Sequence, residues 1–180
     1  MADQPPGNII LIGYRGSGKT TVGRLLAERL GWAFVDTDAL IEARAQTTIA
    51  DIFATQGQDG FRKREREAIA SLAKGEQQVI AAGGGAVMDR RNLEGLRTAG
   101  TIIWLTASPE VLWARIKQDR RTAESRPNLT AAGGLDEVRT ILAERQASYR
   151  QAANLTIDTE HRDPQEAAAS IVAAFTQQQR

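Results

Sequence analysis

The sequence lacks cysteine and contains one histidine in its 180 residues. The absence of cysteine excludes a disulfide framework and any metal site built from thiolates. The histidine, His161, lies in a polar stretch, so we expect a solvated loop residue rather than a catalytic base or a metal ligand. The net charge is +1 and no basic run occurs, so nucleic acid is not an expected partner.

Long apolar runs are also missing, and no segment approaches the length of a membrane span. Residues 1–7 are polar and rich in proline, which does not fit a signal peptide. With 42% apolar and 25% charged residues, the composition is typical of a soluble globular protein. We therefore expect a flexible tail over residues 1–7 and one domain over 8–180, in a cytoplasmic monomer with no membrane partner.

Lysine is scarce, because only four of the 23 basic residues are lysine and the other 19 are arginine. Arginine suits planar, bidentate recognition of carboxylate and phosphate. Biased genome composition explains most of this skew. Only arginines at unusual positions are therefore candidates for function.

A glycine-rich segment organises the chain. It runs through Gly13, Tyr14, Arg15, Gly16, Ser17, Gly18, Lys19 and Thr20. An apolar run over 8–12 precedes it and an amphipathic stretch over 21–30 follows, so the motif lies between a predicted strand and a predicted helix. In such a loop the backbone N–H groups and the helix start bind phosphates, the lysine reaches the β- and γ-phosphates, and the threonine hydroxyl can ligate Mg²⁺. The segment predicts a nucleoside triphosphate site with Mg²⁺ as cofactor, and Thr21, directly after the motif, is expected to contribute to nucleotide binding.

Further apolar runs alternate with helical patterns, which predicts a parallel sheet covered by helices on both faces. The additional predicted strands are residues 32–35, 78–82, 101–106 and 154–158. The predicted helices are residues 39–45, 47–53, 61–72, 89–99 and 135–153, one capped by Ser108, and one that begins with a capping box at Asp163.

Two acidic residues follow the second strand. Asp36 and Asp38 are expected at the carboxyl edge of the sheet, where the phosphate loop also lies. The alternative is that one of them caps the next helix, and Asp38 is placed to do so. The pattern alone leaves both interpretations open.

Other segments also carry candidate functional residues. The charged run around Arg62 and Glu65 is by itself typical of a solvated helix surface. Gly83–Gly85 directly follow a strand, which indicates either a close approach by another group or a sharp turn. Arg145 interrupts an apolar helix stripe, so it needs a partner or a ligand. Residues 118–134 form a long polar segment with glycines that could serve as hinges of a lid.

The phosphate loop alone does not define the reaction. No Asn-Lys pair is present for guanine recognition, and the chain is too short for a motor or a transporter assembly. A small-molecule kinase remains, and it needs an acceptor site, a group that positions the hydroxyl and a cover that excludes water.

Taken together, these motifs resemble the shikimate kinase family from about Asn8 to the last helix. The matching pieces are residues 13–20, 36–38, 49–53, Phe61 with Arg62 and Glu65, 83–85, Arg126 with Pro127, and Arg145 with Tyr149. The resemblance implies an α/β three-layer fold of the P-loop nucleoside monophosphate kinase type, with a five-stranded parallel sheet in the order 2-3-1-4-5 and a mobile lid. It implies MgATP-dependent phosphorylation of the shikimate 3-hydroxyl, on the route to chorismate and the aromatic amino acids.

The resemblance also implies a role for each matching residue. Arg62 and Arg145 would hold the shikimate carboxylate, which replaces the solvated-surface interpretation of Arg62, and Glu65 would orient Arg62. Asp38 would position or deprotonate the attacking hydroxyl, and the glycines Gly83, Gly84 and Gly85 would let backbone lie against the ring. The shikimate-binding region would span about residues 38–75. Asp36 would lie in the second shell of Mg²⁺, beyond Thr20. Arg126 would meet the transferring phosphoryl group from a lid over about 118–134, and Arg121 would lie on its adenine side.

Two departures from the family pattern occur. The lid reads Arg126-Pro127-Asn128-Leu129 instead of Arg-Pro-Leu-Leu, and Ala147-Ser148-Tyr149 replaces Pro-Leu-Tyr. A gluconate kinase of the same fold is the nearest alternative, because its substrate is also a hydroxylated carboxylic acid. A non-catalytic nucleotide-binding module is the alternative from another class.

Overall fold

The computed structural model describes residues 7–119 and 133–178, and its centre is a parallel sheet of five strands. The strand order is β2-β3-β1-β4-β5, as predicted. The strands are β1 (Asn8–Ile12), β2 (Ala33–Asp36), β3 (Gln78–Ala81), β4 (Gly100–Thr106) and β5 (Leu155–Asp158).

The central strand β1 is buried on both faces, which explains its uninterrupted apolar sequence. Ile10 pairs in register with Ile80 of β3 and Ile102 of β4. Ile9 and Leu11 belong to one core cluster, whereas Ile10 and Ile12 belong to another. Because successive side chains point to opposite faces, one short strand anchors both layers of helices.

Seven helices among the described residues cover the sheet. They are α1 (Lys19–Leu30), α2 (Thr37–Ala45), α3 (Ile49–Leu72), α4 (Arg90–Ala99), α5 (Pro109–Gln118), α6 (Gly134–Ala152) and α7 (Pro164–Gln178). The apolar sides of α1 and α7 share one core cluster with the sheet, and those of α3, α4 and α6 share the other. None of the described helices has the length and hydropathy needed to cross a membrane.

Three predicted helix ends are confirmed in position. Gly31 ends α1 in the left-handed region at φ 67°, and Asp163 with Glu166 forms the expected capping box of α7. Ser108 is the cap residue of α5 and Pro109 follows it, but the Ser108 side chain makes no capping hydrogen bond. The Ser108 backbone N–H donates to the Glu160 carboxylate at 2.8 Å, so the loop after β4 is held by a residue from the segment after β5.

The segment from Ile49 to Leu72 contains the two predicted helices, which together form α3. They meet at a non-helical residue, Gly57 (φ 66°, ψ −169°), and the second helix begins before the predicted residue 61. Gly57 adopts a backbone conformation that other residues rarely take, so the chain bends there without a loop. The second part of α3 carries Arg62 and Glu65, and the bend sets the direction in which this part runs.

Candidate active site

The phosphate loop joins β1 to α1. Its glycines are required by their backbone conformation, and two of them also by close packing against neighbouring elements. Gly13, Gly16 and Gly18 have φ values of 140°, 82° and 94°. A Cβ at Gly13 would lie 2.4 Å from the carbonyl oxygen of Leu105, and one at Gly16 would lie 2.9 Å from that of Leu112. The loop therefore packs so closely on β4 and α5 that only glycine fits at these two positions.

The lysine of the motif bends back over the loop. The Nζ of Lys19 donates to the carbonyl oxygens of Gly13 at 2.8 Å and Tyr14 at 3.1 Å. Ser17 is buried within the loop, whereas Thr20 and Thr21 are exposed on the first turn of α1. The positive end of α1 and the Lys19 ammonium thus lie at one concave surface, where they favour an anion.

A hydroxyl and a carboxylate meet beside this surface. The Oγ1 of Thr20 donates to Oδ2 of Asp36 at 3.3 Å. The other carboxylate oxygen of Asp36 accepts from the backbone N–H groups of Asp38 at 3.0 Å and Ala39 at 3.4 Å, so Asp36 is the cap of α2. Of the interpretations left open, one of the two acids does cap the helix, but it is Asp36 and not Asp38, because the helix begins two residues earlier than expected. The Asp38 carboxylate consequently lies on the first turn of α2 and not at the cap.

The glycine run after β3 is where the second half of the site assembles. A Cβ at Gly83 would lie 3.0 Å from Oδ1 of Asp38 and 3.2 Å from Oε1 of Glu65. At Gly85 it would lie 2.7 Å from Nη2 of Arg62. Both expected reasons for this run hold: side chains occupy the space that Cβ atoms would need, and the chain turns here, with the Ala86 N–H donating to the Gly83 carbonyl oxygen at 3.0 Å.

Gly84 lies between the two halves of the site. A Cβ at Gly84 would lie 3.5 Å from the carbonyl oxygen of Gly13 and 3.6 Å from Nη1 of Arg145. The Tyr149 hydroxyl donates a short hydrogen bond to the Gly84 carbonyl. Helix α6, the phosphate loop and the glycine run thus meet at one residue.

Arg62 is held by a buried carboxylate. Its Nη1 donates to Oε2 of Glu65 at 2.6 Å, and the Glu65 side chain is 1% exposed. Asn92 of α4 donates to the same oxygen at 3.1 Å and is itself buried. Burial raises the pKa of Glu65, while Arg62 and Asn92 act in the opposite direction. Glu65 and Arg62 lie one helical turn apart and were predictable, whereas Asn92 carried no signal in the sequence.

Arg145 is half-buried beside Tyr149 on α6. Burial raises the pKa of Tyr149 to about 12, against the lowering effect of the Arg145 charge. The Tyr149 ring stacks on Trp104 of β4, with ring centroids 5.8 Å apart. Tyr149 is therefore a neutral hydroxyl donor that anchors α6, and the arginine one turn earlier faces the glycine run.

Three residues that no sequence pattern predicted also hold the phosphate loop: Arg115, Thr159 and Glu137. Arg115 of α5 donates to the Thr159 carbonyl oxygen at 2.6 Å and to the Gly16 carbonyl oxygen at 3.4 Å. The Thr159 hydroxyl donates to the Ser17 carbonyl oxygen at 3.2 Å. Glu137 of α6 pairs with Arg15 of the loop. Their partners are remote in sequence, so no local pattern could identify them.

Arg121 and Arg126 lie outside the described residues, as does most of the predicted lid over 118–134. Their roles stay predictions. The remaining predicted residues form two groups that meet at Gly84: the phosphate loop with Thr20 and Asp36, and the charged cluster of Asp38, Arg62, Glu65 and Arg145 around the glycine run.

Comparison with known proteins gives a consistent result. A family model described as shikimate kinase matches residues 15–176. The chain belongs to the shikimate kinase family. It is 50% identical to the shikimate kinase of Symbiobacterium thermophilum over 165 residues, which are 92% of this chain and 94% of that protein.

Solved structures extend the family match to the fold. The structure of shikimate kinase from Acinetobacter baumannii in complex with shikimate superposes with a TM-score of 0.89 at 35% identity, covering 96% of this chain and 94% of the other. A gluconokinase from Sinorhizobium meliloti superposes less well, with a TM-score of 0.56 at 16% identity over 96% of this chain and 93% of its own. The gluconokinase shares the fold alone.

Proposed function

We propose that the protein is a shikimate kinase, which transfers the γ-phosphoryl group of ATP to the 3-hydroxyl of shikimate and yields shikimate 3-phosphate and ADP. The observation that carries the proposal is the convergence of Asp38, Arg62 and Arg145 on a glycine run that lies against the phosphate loop. Two arginines and one carboxylate suit a ring that bears a carboxylate and hydroxyl groups.

The two arginines recognise the substrate carboxylate from different elements. Arg62 comes from α3, where Glu65 accepts a hydrogen bond from its guanidinium, and Asn92 of α4 holds the Glu65 carboxylate in turn. Arg145 comes from α6, which is anchored by Tyr149. Each guanidinium can form paired hydrogen bonds with a carboxylate. Recognition from two sides fixes the ring, and this fixes the hydroxyl that faces the phosphate loop.

Asp38 accepts a hydrogen bond from the attacking hydroxyl and orients it toward the phosphoryl group. Its carboxylate lies next to Gly83, at the same turn as the arginines. Lys19, at the base of the loop, contacts the phosphates in place of the carbonyl oxygens to which it now donates. Catalysis then rests on positioning and on charge stabilisation of the phosphoryl group.

The residues present fit Mg²⁺, which prefers oxygen ligands. The Thr20 hydroxyl and the Asp36 carboxylate lie 3.3 Å apart beside the phosphate loop. Thr20 would bind the ion directly and Asp36 would hold it through water. When bound with ATP, the ion neutralises charge on the β- and γ-phosphates.

The test is a coupled assay of ADP release with shikimate and with gluconate as acceptors. We expect ADP release from ATP when shikimate is the acceptor and none when gluconate is the acceptor. Turnover of gluconate without turnover of shikimate would assign the protein to the alternative kinase class. ATP binding with no acceptor-dependent turnover would make it a nucleotide-binding module.

The acceptor site is tested with Arg145→Ala. We expect shikimate binding to weaken by roughly 2–5 kcal/mol, as for loss of one partner of a desolvated charge pair. Arg150→Ala on the exposed side of the same helix is the matched control. Unchanged shikimate affinity in the Arg145 variant would remove this residue from the site.

A further inference from the structure

A buried ion pair links the phosphate loop to helix α6. The Nη2 of Arg15 donates to Oε1 of Glu137, and the two side chains are 11% and 0% exposed. Removing two charges from water is costly, so a buried pair contributes little to stability compared with an apolar contact of the same size. Its presence therefore calls for a role other than holding the fold together.

The phosphate-binding motif does not demand arginine at this position. Residue 15 is one of the unspecified positions between Gly13 and the lysine. Its backbone belongs to the loop, but its side chain runs along the Tyr14 ring, with the guanidinium carbon 5.8 Å from the ring centroid, and ends at α6. The charge is thus directed toward the helix.

The contacted helix face is the one that carries the acceptor arginine. Glu137, Ile141, Arg145 and Tyr149 follow one another at intervals of four, so they lie on one face of α6. Glu137 is in the first turn, where Arg15 holds it. Tyr149 is three turns later and holds the Gly84 carbonyl. Arg145 lies between these two anchors, and a helix held at both ends keeps a side chain between them in place.

We propose that Arg15 is a positioning residue that acts through Glu137 on Arg145 and so couples the nucleotide loop to recognition of the substrate carboxylate. The inference rests on the proposed function, because Arg145 is assigned there to the shikimate carboxylate. One side chain of the ATP loop then sets the affinity for the other substrate.

The experiment compares Arg15→Met, Glu137→Gln and the double variant in the full chain. Each single variant is expected to raise the KM for shikimate by roughly 3- to 30-fold, the range typical of mutations that disturb coupling between sites. The Kd for ATP, measured by titration without shikimate, is expected to stay within about twofold of wild type. The double variant is expected to have a KM no higher than the worse single variant, since both changes break one interaction.

Thermal unfolding separates positioning from a structural role. Each single variant removes one charge of the pair and keeps the other, so it should unfold at a lower temperature, whereas the double variant removes both charges and should regain most of the loss. The KM is expected to stay raised in the double variant, although its stability recovers. Arg139→Met is the control, because Arg139 also pairs from α6, with Glu110 of α5, but is 53% exposed. Its KM is expected to equal that of wild type.

Three results would overturn the proposal. Arg15→Met could raise the Kd for ATP while Glu137→Gln leaves the KM for shikimate unchanged, which would make Arg15 a phosphate ligand. The double variant could regain the wild-type KM together with its stability, which would make the pair structural only. Absence of shikimate turnover in the wild-type protein would instead refute the proposed function, and the present inference with it.

Discussion

The substitution Gly85→Ala should weaken shikimate binding without unfolding the protein. Gly85 has φ −104° and ψ 2°, a conformation that alanine can adopt. The added Cβ would lie 2.7 Å from Nη2 and 3.2 Å from Nη1 of Arg62. These atoms are the end of a flexible side chain, so the guanidinium moves and the backbone stays.

The expected size of the effect follows from what Arg62 contacts. A hydrogen bond to a charged group contributes about 1.5–3 kcal/mol, so losing one to the shikimate carboxylate should raise the KM roughly 10- to 150-fold. The added Cβ comes closest to Nη2 of Arg62, whereas the hydrogen bond to Glu65 uses Nη1, so the pair with Glu65 can be kept while Nη2 is displaced. The free energy of unfolding should therefore change by less than about 1 kcal/mol.

The assay is ADP release at saturating ATP with varied shikimate, together with thermal unfolding of each variant. Gly95→Ala on α4 is the matched control, since its Cβ would meet an Ile69 methyl group at an ordinary 3.5 Å. That change should leave the KM unchanged and increase stability by about 0.5–1 kcal/mol, because alanine favours a helix interior over glycine. A KM for Gly85→Ala within about twofold of wild type would refute the placement of Arg62 in the acceptor site.

Three other predictions follow from the same site. Lys19→Ala should lower kcat on the order of 10²-fold or more through lost charge stabilisation, and a wild-type kcat would exclude Lys19 from catalysis. Because burial raises the pKa of Glu65 above its ordinary 4.5, this side chain should gain a proton at a higher pH than an ordinary glutamate as the pH falls. Protonation of Glu65 favours the folded state, and this stabilisation is lost as the pH rises through the raised pKa. Protonation also removes the negative charge that pairs with Arg62. The KM for shikimate should therefore rise on acidification, whereas Glu65→Gln should have a high KM at every pH in this range; a flat wild-type profile would contradict the assignment. Asn92→Leu removes one of the two donors to Oε2 of Glu65, so it should lower the unfolding free energy by about 1–3 kcal/mol and raise the KM for shikimate. An unchanged KM would show that Asn92 does not help to orient Arg62.

The identity of the strands and the phosphate loop could be predicted because both depend on short-range pattern. Short runs of four to six residues predicted each strand end to within one residue, and glycine spacing located the loop. Helix ends were less predictable. Asp36 and Asp38 are both good capping residues, and the choice depends on where the chain leaves β2. The break at Gly57 was predictable from the glycine itself, whereas the early start of the second helix was not.

The sequence alone determined the nucleotide loop, the order of strands and helices along the chain and, by resemblance to a family, the charged residues of the acceptor site. Tertiary structure decided which side chains hold those residues in place. Arg15 and Glu137 are 122 positions apart, and Glu65 and Asn92 are 27 apart. The physical reason is that a motif consists of residues close together in the sequence, whereas the partner of a buried charge depends on how distant elements pack.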